Sequence, residues 1–159
     1  MSSIIQGEPA VEADKKFLAG QITVQGKTVK QYLYVPANTE EGEVLVKTYD
    51  GDSAKSPKAV AAATSAFNRE VVVATQDQGT TAGFQWCVIA GPCYALVDGT
   101  TDVAVGNFLE VLNGADGFTK DGTAQATTSA AIALEAVTAN EDTLAKVELI
   151  AEQNTIAAS

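Results

Sequence analysis

Asp98 and Asp102 stand on either side of Gly99-Thr100-Thr101, a spacing at which two carboxylates could serve glycoside hydrolysis or bind calcium. Asp50-Gly51-Asp52 offers a second close pair. The calcium-loop spacing D-x-D-x-D-G is absent, and both pairs read more simply as turn aspartates that bond their own backbone. Cys87 and Cys93 could join only if Gly91-Pro92 folded the chain back on itself. Two buried thiols are expected instead. A cysteine nucleophile needs a basic partner, and the chain contains no histidine. Serines, threonines and lysines are present in number, so a Ser-Lys pair stays open, although no local motif marks one. Neither GxxxxGK[ST] nor GxGxxG occurs. Phe84, Trp86, Tyr94 and Phe108 could form a sugar-stacking platform, but aromatics at strand spacing are expected in a core or a subunit interface. We therefore expect no catalytic residue, no metal site and no cofactor, and a protein that is not an enzyme.

Charge and composition narrow the function classes further. The chain has 159 residues, 46% of them apolar, with 20 acidic against 10 basic residues and a net charge of −10. One domain with a self-supporting core is expected at that length. An acidic surface repels phosphate backbones and anionic lipid, so neither nucleic acid nor membrane is an expected partner. The lack of histidine removes the commonest general base, metal ligand and pH switch together. No apolar run approaches the roughly 20 residues of a membrane span. The N-terminus lacks a basic start followed by an apolar block, so synthesis in a cytoplasm is expected.

The elements that would position these residues are short strands. Residues 1–19 show no period of 2 or 3.6 and read as an N-terminal arm. From Gly20 the pattern alternates: Ile22 and Val24, a tight turn at Gly26-Lys27, then Val29 to Val35, stopped by Pro36. Val44 to Val46 and Glu70 to Ala74 read as strands, the second because β-branched residues fill it. Between them Ser56 can cap a helix, Pro57 suits its first position, and Val60, Ala63, Thr64 and Phe67 fall on one helical face. That spacing predicts one short helix over Pro57–Phe67. Further strands are expected around Phe84–Ile89, Tyr94–Val97, Phe108–Leu112, Ala130–Val137 and Ala145–Ile150, with Gly91-Pro92 as a turn between the first two. Residues 115–128 read as an exposed excursion and 151–159 as a flexible tail. The expected fold is mainly β: a compact β-barrel or sandwich of eight or nine short strands with one short helix and an extended N-terminal arm. The domain limits are 1–19, 20–150 and 151–159.

The segment YALVDGTTDVAVGNFLEVLNG, followed by AIALEAVTANEDTLAKVELI, resembles the head decoration, or capsid cement, proteins of tailed bacteriophages. The matching elements are Asp102-Val103-Ala104-Val105-Gly106-Asn107, Asn113 to Gly122, Ile132 to Ala136 and Val147 to Ile150, with Asn107 where that family more usually has aspartate. The likeness covers about the last 70 residues. It implies a β-rich virion protein on the outer surface of a phage head, with the major capsid protein as partner and a homotrimer as assembly. A receptor- or glycan-binding module on a virion appendage is the alternative. On this basis the arm is expected to be mobile in solution and to meet a strand edge of the capsid through Ile4, Ile5, Val11, Phe17 and Leu18. Trp86 and Phe108 are the expected contacts between subunits.

Overall fold

A computed structural model describes residues 17–49, 57–61, 71–98, 100–111, 116–122, 129–138 and 143–150. Among them are ten strands and no helix: β1 Ile22–Gln25, β2 Thr28–Val35, β3 Val44–Thr48, β4 Lys58–Ala61, β5 Val71–Ala74, β6 Gly83–Val97, β7 Phe108–Val111, β8 Phe118–Lys120, β9 Ser129–Ala133 and β10 Thr143–Leu149. No described helix is long and apolar enough to cross a membrane.

The hairpin β1–β2 follows the sequence pattern. Gln25 pairs with Thr28 across the two-residue loop, and Gly26 takes φ 62°. That is the place glycine holds in a type II′ turn, whose twist matches that of the flanking strands. From β2 the pairing runs β2–β4–β3–β5–β6 and returns from β6 to β2, closing a five-stranded barrel. A second closed circuit runs β6–β10–β9–β7–β8 and back to β6. In each circuit one parallel bridge completes the ring, Tyr34 with Lys58 in the first and Val97 with Phe118 in the second.

Strand β6 belongs to both circuits. Its first half, Gly83 to Ala90, pairs with β2, and its second half, Gly91 to Val97, pairs with β10. Gly91-Pro92, expected to reverse the chain, instead carries it on from one ring to the next. Gly91 stands at φ +90°, where a Cβ would collide with the Lys27 carbonyl, so only glycine lets the β1–β2 turn approach so closely. Pro92 gives no ladder donor, and its carbonyl accepts the Thr28 hydroxyl at 2.7 Å. Tyr94–Val97 is thus the far half of one 15-residue strand.

The alternation of strands β3 and β5 shows why their sequences are almost wholly apolar. Leu45 and Val72 point into the first barrel with Leu33, Val35 and Cys87. Val44, Val46, Val71 and Val73 point the other way, into the core of the second circuit with Val97, Leu109, Phe118, Val147 and Leu149. A strand buried on both faces needs an apolar side chain at every position.

Two further expectations fail. Lys58–Ala61, the start of the predicted helix, is β4, paired antiparallel with β3 from Leu45 to Thr48; the remainder of Pro57–Phe67 beyond Ala61 lies outside the described residues. A helical period in an alanine-rich run is weak when a strand edge is available to satisfy the backbone, and tertiary pairing wins. The supposed excursion also contains β8, whose Phe118 is 0% exposed and bridges the second ring. Its Gly- and Asp-rich flanks masked that anchor.

Candidate functional site

Three places bring together side chains that the sequence singled out. The first is an aromatic cap on the outer face of the first barrel. Tyr32, Phe84 and Trp86 are buried there, packed by Phe17, Ala19 and Tyr34. Phe17 meets Tyr32 edge-on at 5.1 Å between ring centroids and Trp86 at 5.4 Å. Tyr32 stacks on Phe84 at 5.3 Å. The set comes together because Tyr32 pairs with Trp86, and Tyr34 with Phe84, across β2–β6. Trp86 is 1% exposed within its own chain and offers no ring face to a ligand or a subunit while Phe17 is in place. Phe17, expected in the arm, belongs to the body. Leu18 beside it is 75% exposed, and Ile4, Ile5 and Val11 lie outside the described residues. Phe108 is half-buried on β7 opposite Ile132.

The second place is a cavity of about 270 Å³ at the seam of the two rings, lined by Thr28, Lys30, Glu41, Thr75, Cys93 and Tyr94 among others. Burial pulls the Lys30 amine below its ordinary value, opposed by its charge coupling to Cys93. Burial pushes the Cys93 thiol up to about 12, with Lys30 drawing it back. A thiol so held stays protonated at neutral pH and is a poor nucleophile. Cys87 is buried deeper and its thiol is pushed up further by the same cause. Both cysteines are free. They lie on one strand six positions apart, about 20 Å at roughly 3.3 Å per residue, too far for a disulfide. The sequence pattern missed Lys30 as a cavity residue; its alternation with Tyr32 and Tyr34, on an apolar face, was the available signal.

The third set is the polar residues. Asp98 accepts the Thr100 amide at 3.0 Å, the local turn expected of it. Asp50 and Asp52 lie outside the described residues. No group of three or more acidic or cysteine side chains within metal-binding reach occurs among the described residues. Two buried polar groups went unnoticed in the sequence. Gln85 gives its amide to the Gln76 carbonyl at 3.0 Å and the Gln78 side chain at 3.1 Å, and accepts the Thr75 amide at 3.1 Å. It pins the loop after β5 onto β6. Asp121 accepts the Ser129 hydroxyl at 2.6 Å beneath the surface.

No protein-family model and no curated protein matches the chain. Among solved structures it is similar to the N base of the head fiber protein gp8.5 of bacteriophage phi29. The TM-score is 0.54 at 17% identity, over 77% of this chain and 94% of that one. At that identity the likeness is one of fold. It places the barrel architecture beside that of a phage head fiber base, spanning nearly all of the other chain.

Proposed function

We propose that this chain is a structural virion protein that binds the outer surface of a phage capsid and stabilises the head, acting as a homotrimer with the major capsid protein as partner. The observation that carries the reading is the shared fold with a phage head fiber base along almost its whole length. The resemblance of Asp102–Gly122 and Ile132–Ile150 to decoration proteins supports it from the sequence side. A trimer satisfies a lattice threefold with identical contacts from each copy. Phe108, with exposed Val105 on the loop before it, is the better subunit contact, since Trp86 is enclosed in its own chain.

The neighbour is a fiber base, which favours a second reading: the chain is a head-proximal module of an appendage whose task is recognition of a receptor or glycan. Incubation of the purified protein with undecorated heads separates the two. The first reading expects saturable co-sedimentation at a copy number set by lattice symmetry, and heads that release DNA at a higher temperature when decorated. Binding to cell-surface glycan by the free protein, with no binding to heads, would instead establish the second.

A further inference from the structure

Closing both rings leaves β1 as the one described strand with a neighbour on a single side. An open edge is a template for another strand, and proteins usually blunt it with charge, proline or a bulge. Ile22-Thr23-Val24-Gln25 has none of these. Its Ile22 and Val24 are 56% and 64% exposed, and Leu18 at its approach is more exposed still. In a two-residue hairpin closed by Gln25 and Thr28, alternation turns the backbone N–H and C=O of Ile22 and Val24 outward, away from β2. Unpaired ladder groups and exposed β-branched side chains therefore coincide on one short edge.

We propose that this edge takes the N-terminal arm of a second copy of the chain, residues 1–16, through strand addition centred on Ile4 and Ile5. The described chain begins away from that edge. Phe17 lies over β2 and β6 against Tyr32 and Trp86. The Gln21 amide returns to the Leu18 carbonyl at 2.9 Å and the Gly20 amide to Tyr32 at 2.7 Å. Phe17, where the described chain begins, thus has its ring over the aromatic cap and not beside the free edge of β1. Sixteen residues ahead of Phe17 reach about 50 Å when extended, enough to meet the β1 of an adjacent copy. Ser3-Ile4-Ile5-Gln6 is the one stretch there with adjacent β-branched residues, and its length matches β1. Main-chain bonds supply the affinity, and Ile22 and Val24 supply apolar cover. The tail after Ile150 carries a single isoleucine and leaves from β10, in the other ring. The arm thus serves copy-to-copy linkage, and the edge it needs is supplied by this fold itself.

The test uses the isolated full-length protein without heads, so its result is independent of capsid binding. Val24→Pro removes an outward N–H while leaving the β1–β2 ladder, since that amide does not face β2. The double variant Ile4→Asp/Ile5→Asp disables the arm. Sedimentation is expected to show a larger assembly for the wild type, a smaller one for each variant because only the contact through Phe108 and Val105 remains, and the wild-type size restored when the two are mixed, because one brings the arm and the other the edge. Amides of Ile22 and Val24 should exchange at least tenfold faster in the arm variant than in the wild type. Ile22→Lys/Val24→Lys replaces Val24→Pro if that chain does not fold. A wild type no larger than the variants at every concentration reached overturns the proposal. The larger assembly lost only in the edge variant shows β1 edges pairing with each other, and its loss only in the arm variant shows docking elsewhere; either result overturns it. So does a mixture that stays at the smaller size.

Discussion

Phe17 shows how one side chain changes the assignment of a segment. By sequence it ends an aperiodic stretch; in the fold it covers two buried rings. Phe17→Ala should cost about 2 kcal/mol, less than a fully buried phenylalanine because the ring is only half-enclosed. Urea unfolding would measure it, and Trp86 fluorescence should shift to the red in the native variant. Cys93 carries a second prediction at this scale. Its thiol is raised to about 12 from an ordinary 9.0, so the native state holds a proton that the unfolded chain releases between those values. The stability it contributes is fully present below pH 9 and is lost as pH rises from about 9 to 12. Lys30, pulled down by burial, works in the opposite sense near its own titration. Comparing wild type with Cys93→Ala isolates the thiol: the variant's stability should fall less steeply through that window. Equal slopes would show that Cys93 titrates alike in both states.

At the scale of elements, β6 is the member on which both circuits depend. Its passage from one ring to the other rests on Gly91, where a side chain meets both a left-handed φ and the Lys27 backbone, with the carbonyl carbon 2.9 Å from an added Cβ. Gly91→Ala should destabilise by about 3 kcal/mol or more, because backbone strain and collision add. Gly26, also at positive φ but with nothing within 4 Å of an added Cβ, provides the control. Gly26→Ala should cost about 1–2 kcal/mol from backbone conformation alone. Chemical unfolding of the two variants in parallel checks the ordering, and equal losses would show that β6 moves aside at Gly91 without penalty.

For the whole molecule, each circuit closes through a single parallel bridge, and β1 is the described strand with a partner on one side only. The far-ultraviolet circular dichroism of the free protein should be that of β-structure with at most a small helical component, and a helix-dominated spectrum would contradict the fold. Added to heads, the protein should raise the temperature of DNA release in proportion to occupancy until the lattice sites are filled. A rise absent at saturation would separate binding from reinforcement.

Much of the strand pattern was legible from residues alone. The hairpin through Gly26-Lys27, the strands at Val44 and Val71, and those at Phe108, Ala130 and Ala145 all follow from period, β-branching and turn residues, because these act within a few positions of one another. The inert turn role of Asp98 was legible for the same reason: its partner, Thr100, is two residues away. Four features came only from the tertiary structure. Gly91-Pro92 has the local chemistry of a turn, and only the partners on either side of β6 decide that the strand runs through. Lys58–Ala61 opens the run in which Val60, Ala63, Thr64 and Phe67 follow a helical period, and only the edge of β3 recruits it as a strand. Phe118 sits in a polar stretch, and only ring closure through Val97 buries it. Trp86 and Phe17 lie 69 positions apart, and only folding makes one the cover of the other. Local pattern determines which residues are strand-like and where chains turn. Which strands meet, and hence which edge stays open and which aromatic is enclosed, depends on long-range pairing that no short window of sequence contains.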